Sequence, residues 1–164
     1  GVATELGDSF SDGSYHFMGI NQYLEIENSD GLIIGTKNFQ IEVEASFAEY
    51  QSGNYPVLIG KGDTGADEWM LYWDMVNGNY RWYGASGLQD SKIAGQPDSN
   101  YHKYKISRNS SNLTVYIDEL PGNVDTTASQ DLSTLKNIQI GCADSNGERY
   151  FRGKIRQILL SIQE

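Results

Sequence analysis

Apolar and polar residues alternate with a period of two along much of this chain. Residues 39–47 are the cleanest run: odd positions are Phe, Ile, Val, Ala and Phe, even positions Gln, Glu, Glu and Ser. A segment of this kind buries one face and wets the other, as a half-buried strand does. Similar runs occupy 23–27, 68–74, 80–84, 101–108, 113–118, 138–142 and 154–162, with 57–59 as a short, wholly apolar strand. Clusters of Gly, Asn, Asp and Ser separate them at 28–31, 60–65, 77–78 and 109–112, and such residues favour turns. Sustained helical periodicity is absent. The irregular stretch 120–135 suggests at most one helical turn, at Ser133, Thr134 and Leu135. No repeat or linker divides the chain. Short strands with turns between them predict one all-β domain over 1–164, an antiparallel two-sheet β-sandwich.

The aromatic stretch 69–84 carries the most chemistry. Asn77-Gly78 predicts a two-residue type I′ hairpin loop, which would set Asp74 opposite Arg81, Trp73 opposite Trp82 and Tyr72 opposite Tyr83. Alternation then sends Leu71, Trp73, Met75, Tyr80 and Trp82 to the core, and Met70, Tyr72, Asp74, Arg81 and Tyr83 to the other face. Tyrosine rings beside an acid–base pair suit a sugar, whose C–H faces stack on aromatics and whose hydroxyls need fixed polar partners. The candidate ligand-binding residues are therefore Tyr72, Asp74, Arg81 and Tyr83. A one-residue slip would expose Trp73 and Trp82 instead. Tyr50, Tyr55 and Tyr150 are further loop aromatics that could line such a site. The plainer reading of this face is a cross-strand ion pair among ordinary surface tyrosines.

Charge narrows the partners. With 22 acidic against 12 basic residues the chain carries a net charge of −10, which repels nucleic acid and anionic membranes alike. No apolar run reaches the length of a membrane span. Cys142 is the sole cysteine, so neither an internal disulfide nor a Cys-based zinc site is expected. The chain opens Gly-Val-Ala without an initiator Met and reads as a segment of a longer protein.

Five phrases, in order, resemble the laminin G-like, concanavalin A-like jelly-roll superfamily. They are residues 15–26, 39–45, Leu58 to Asp63 followed by Trp69 to Tyr72, residues 101–118, and Phe151 to Ile155. The resemblance implies a two-sheet jelly roll with the chain ends in neighbouring strands, and a carbohydrate-binding or adhesive module of a larger secreted or cell-surface protein; a virion is a further setting. Met18 stands where the family often has Asp, and Glu119-Leu120 where a Gly often follows.

Some such relatives are glycosidases. Glu42 and Glu44 share a strand face, but Phe47 breaks the Glu-x-Asp-x-x-Glu pattern of glucanases, and hydrolysis needs one carboxyl that keeps its proton. His16 and His102 have no triad arrangement around them. The chain thus reads as a non-enzyme. Calcium is the one cofactor the loops suggest, with Asp63, Thr64 and Asp67 in one candidate loop and Asp144, Asn146 and Glu148 in another, because it takes clustered oxygens. The expected function is a lectin-like, non-catalytic module for a polysaccharide or glycan. The alternative is a protein-interaction, adhesion or phage-fibre assembly module that grips a surface protein.

Overall fold

A computed structural model describes residues 3–4, 13–85, 87–143 and 149–163 of the chain. Two antiparallel sheets face each other, as the alternation predicted. One runs in the order β1 (Ala3–Thr4), β3 (Leu24–Ile26), β12 (Ile138–Ile140), β5 (Val57–Lys61), β6 (Trp69–Asp74), β7 (Asn79–Gly84) and β8 (Gly87–Ala94). The other runs β11 (Leu120–Pro121), β10 (Asn112–Ile117), β9 (His102–Asn109), β4 (Asn38–Phe47), β13 (Arg152–Gln163) and β2 (Tyr15–Met18). The resemblance implied chain ends in neighbouring strands; here the second strand, β2, lies beside the last, β13, while the first, β1, pairs with β3 in the other sheet.

Strand β4 shows how the pattern becomes packing. Ile41, Val43, Ala45 and Phe47 are all buried, while Gln40, Glu44 and Ser46 on the other face reach solvent. Phe47 meets Trp73 of the opposite sheet at 6.3 Å, and, within its own sheet, Tyr104 of β9 at 5.5 Å and Phe151, just before β13, at 4.9 Å, each edge-to-face. Trp69 stacks on Trp82 at 5.3 Å. These are the offset and T-shaped geometries that ring quadrupoles favour. The Tyr80 hydroxyl crosses from one sheet to donate to the Lys105 carbonyl at 3.1 Å. Tyr80→Phe keeps the ring and drops that bond, so chemical denaturation should show a loss of about 1 kcal/mol.

Strand β8 has no clean alternation and escapes a reading by pattern. It forms an edge, and side-chain bonds cover that edge. Lys92 N donates to Asn123 Oδ1 at 3.0 Å, and Ser91 Oγ bridges the Asn123 carbonyl and the Val115 amide at 2.6 and 2.9 Å. Covered edges resist pairing with foreign strands. Among the described residues the one helical turn is a 3-10 turn at Asp30–Leu32, whereas 133–135 is irregular. The Lys61 ammonium, fully buried, holds that turn through Asn28 Oδ1 at 2.5 Å and the Leu32 carbonyl at 3.0 Å. Among the described residues no helix is long and apolar enough to cross a membrane.

Candidate functional site

The β6–β7 hairpin departs from the expected register. Its loop has four residues, 75–78, so Trp73 pairs with Tyr80, Tyr72 with Arg81 and Asp74 with Asn79. The cause is Asp74, whose carboxylate takes the Asn77 amide at 3.0 Å and the Asn77 side chain at 2.8 Å. That bonding draws Met75 and Val76 into the turn. Lengthening a loop by two residues preserves parity, so the same residues still face inward. Trp73 and Trp82 are therefore core residues, 2% and 1% exposed, and the slipped alternative that would expose them is removed.

The outer face of the hairpin differs from an open platform. Tyr72 and Asp74 are each only 3% exposed. Tyr72 packs with Val57, Met70 and Ala143 in a second, small apolar cluster on the outer side of the sheet, flanked by Tyr55 and Tyr83. Segments on either side of the sheet build this roof, which alternation alone does not reveal. Tyr150, considered as a loop aromatic, is buried, and Tyr50 stands 70% exposed. The candidate pair Asp74 and Arg81 does approach, but diagonally and at 4.0 Å.

Around this roof the structure gathers a band that the hairpin alone does not contain. Arg149 lies over the Tyr55 ring at 4.9 Å, and its Nε is 3.2 Å from Asp63 Oδ1. Tyr55 meets Tyr72 at 6.4 Å, edge to face. The Tyr83 hydroxyl donates to the Thr64 carbonyl at 3.4 Å. Burial pushes the Tyr72 hydroxyl up to about 12, against the pull of Arg81 and Arg149, so both guanidinium groups lie within electrostatic reach of it. Two half-buried tyrosines thus flank two arginine–carboxylate pairs on one sheet face. Of this set, Arg149 was missed by the sequence reading. It follows β12 in a stretch without strand periodicity, and only the fold returns it to β5, where its carbonyl accepts the Val57 amide at 3.0 Å.

The proposed calcium loop has the opposite polarity from a cation site. Glu68, 8% exposed, turns its carboxylate into the loop and accepts from the Asp63 and Gly65 amides at 2.6 and 2.9 Å. Gly62 sits at φ +85, and a side chain there would collide with that carboxyl. Backbone N–H donors, not carbonyls, converge inside, and Asp63 is committed to Arg149. The surroundings of Asp63 do not suit a cation, and among the described residues, Asp67 included, no three of His, Cys, Asp and Glu gather into a metal cluster. Asp144, Asn146 and Glu148 lie outside the described residues.

Glu68 also has Lys136 at 2.8 Å. Burial would raise its carboxyl, but Lys136 and the two amides outweigh that and hold it below its ordinary value of 4.5. The folded state therefore binds this proton more weakly than the unfolded chain. Its stabilisation is complete above pH 4.5 and fades as pH falls through the lower folded value. Acid unfolding curves of Glu68→Gln should lose that component, so the gap between parent and variant should be wide at neutral pH and narrow in acid.

The acidic strand face does not assemble as a hydrolytic pair. Glu44 is 2.6 Å from Arg156, and this hydrogen bond, opposed by burial, holds its carboxyl below the ordinary range. Glu42 lies 3.6 Å from Lys103.

No protein-family model matches the chain, and no curated protein sequence matches it. Solved structures do. The mouse laminin alpha1 chain, domains LG4-5, aligns over 98% of this chain and 43% of its own, at 20% identity and a TM-score of 0.66. Domain 4 of AbnA, a GH43 extracellular arabinanase from Geobacillus stearothermophilus in complex with arabinotriose, aligns over 98% of this chain and 75% of its own, at 15% identity and a TM-score of 0.67. The Ruminococcus gnavus IT-sialidase CBM40 bound to alpha2,3 sialyllactose aligns over 85% and 91%, at 10% identity and a TM-score of 0.63. This chain spans less than half of the laminin chain. At these identities the likeness concerns architecture: the chain shares its antiparallel two-sheet jelly-roll fold with these domains.

Proposed function

We propose that this domain is a non-catalytic carbohydrate-binding module of an extracellular protein, and that it takes sugar along the outer face of the seven-stranded sheet. The observation that carries the reading is the band of Tyr55, Tyr83, Arg81, Arg149 and Asp63. Aromatic rings with fixed ionic groups beside them match the two needs of a pyranose or furanose ring, an apolar face and oriented polar partners. Two of the structural neighbours are sugar complexes, with arabinotriose and with sialyllactose. Absence of catalysis is part of the proposal because both acids of the candidate pair face a basic partner, Glu44 with Arg156 at 2.6 Å and Glu42 with Lys103 at 3.6 Å. The Arg156 bond holds the Glu44 carboxyl below its ordinary range.

A glycan-array screen of the purified domain, repeated with EDTA, tests this reading. Saturable binding to one sugar class, unaffected by EDTA and weakened by Tyr83→Ala, is the expected result. Silence across the array would transfer the case to the protein-interaction reading. Binding lost with EDTA would give a cation a role that the Glu68 loop does not supply.

A further inference from the structure

His102 ties together two loops that meet at one end of the sandwich. Its Nε2 is 2.9 Å from Asp98 Oδ1, in the segment after β8, and its Nδ1 is 2.5 Å from Asp118 Oδ2, in the β10–β11 turn. Ionised carboxylates only accept, so both contacts require a ring nitrogen that donates, and only the doubly protonated imidazolium has two. Both loops depend on these carboxylates. Asp98 caps the Asn100 amide at 2.8 Å, and its carbonyl takes the Phe47 amide at 3.2 Å. Asp118 also accepts the Lys103 amide at 2.9 Å.

The β10–β11 turn is strained. Asp118 and Glu119 adopt φ +48 and +66, the left-handed region where a side chain such as glutamate is disfavoured. Side-chain bonds to His102 and, at 2.5 Å, from Lys105 to Glu119 oppose that strain. Between the two loops lies a cleft of about 200 Å³, whose lining includes Trp73, Gly95, Asp98, His102, Tyr104 and Ile117. Trp73, 2% exposed, lines it with a ring edge 3.9 Å from where a Cβ on Gly95 would stand.

We propose that His102 is a pH-sensitive latch: as imidazolium it holds the 95–100 segment and the Asp118-Glu119 turn together over Trp73, and loss of its proton releases them. The neutral ring has one N–H, so one carboxylate then faces a lone pair. The turn loses the contact that offsets its strain, and the cleft widens toward the Trp73 edge. The groups facing His102 are few. Asp98 and Asp118 approach its two nitrogens, the Tyr104 ring packs at 6.1 Å edge to face, and the β4 residue opposite is Ala45. Lys103, next in sequence, turns to Glu42, and Glu44 faces Asp118 from β4 while paired with Arg156. The bond to Asp118, reinforced by Asp98 and opposed by burial, raises the imidazole above its ordinary 6.5. The latch is thus closed below pH 6.5 and opens as pH rises through the folded value.

Amide hydrogen exchange corrected for intrinsic rates, acrylamide quenching of tryptophan, and the His102 ring C–H shift, each followed from pH 5.5 to 9, test the latch. Protection at residues 95–100 and 118–121 is expected to fall at least tenfold, and quenching to rise, with the midpoint of the ring titration. Both changes should vanish in His102→Gln, which has no titrating group. Asp98→Asn, which removes one carboxylate and leaves the imidazole, should move the midpoint to lower pH; this keeps the test available if His102→Gln folds poorly. Protection that stays constant while His102 titrates, or a transition that persists in His102→Gln, overturns the proposal.

Discussion

Replacing Arg108 by methionine is expected to destabilise the domain by about 3–5 kcal/mol, the largest effect of any polar substitution considered. The side chain is 2% exposed. Its guanidinium donates four bonds to three carbonyls: Lys37 at 3.1 and 2.7 Å, Gln130 at 2.8 Å and Gly35 at 2.7 Å. It also lies over the Phe39 ring at 5.1 Å. The methionine variant removes all four bonds: the Gly35 carbonyl keeps the Leu132 amide at 3.0 Å, while the Lys37 and Gln130 carbonyls lose the guanidinium. Burial itself disfavours the charge and draws the guanidinium below its usual value, yet the planar donor array outweighs that cost. Arg108→Lys is expected to recover little, because one ammonium cannot reach three carbonyls in fork geometry. Urea unfolding with parallel slopes for parent and variants measures the loss. A shift below 1 kcal/mol for the methionine variant would mean that water or a rearranged loop satisfies those carbonyls.

Sugar affinity is expected to fall about ten- to hundredfold in Arg149→Ala, a change of roughly 1.4–2.7 kcal/mol, while the fold survives. Arg149 contributes to the site through its side chain, over Tyr55 and against Asp63, whereas its link to β5 is a backbone carbonyl that alanine retains. Tyr83→Ala should act in the same direction. Tyr72→Ala should behave differently, because that ring lies inside the apolar cluster with Val57, Met70 and Ala143. Its removal opens a cavity, so the expected signature is lost stability. Titration of the best array ligand against all three variants, beside their unfolding midpoints, separates the two kinds of residue. Equal affinities in Arg149→Ala, Tyr83→Ala and the parent would move the site away from this face.

The architecture was legible in the chain because a sandwich advertises itself through period-two alternation. Strand β4 is the clearest instance, and the inward set of Leu71, Trp73, Tyr80 and Trp82 followed from the same rule. Even the wrong hairpin register left that set intact, since the error of two residues kept parity. Strand β8 was invisible because an edge strand need not alternate. Its order comes from Asn123, about thirty residues away in sequence.

The site was only partly legible. Sequence marked Tyr83 and Arg81 as groups on a sheet face, Tyr55 as a loop aromatic, and Asp63 only as a loop carboxylate for calcium. It could not show that Tyr72 is roofed over, that Asp63 is held by Arg149, or that Glu68 fills the loop read as a cation site. His102 read as a strand histidine without a triad arrangement, yet Asp98 and Asp118 close on it from two loops.

Residue order by itself therefore determined the strands, their buried faces and the two-sheet class, because each depends on neighbours one or two positions away. Tertiary structure decided which outer faces stay open and which charges meet. Those outcomes depend on groups brought from distant segments, such as Ala143 over Tyr72 and Arg149 beside Asp63. Pairing of that kind has no local period, and its physical basis is the geometry of the closed sandwich.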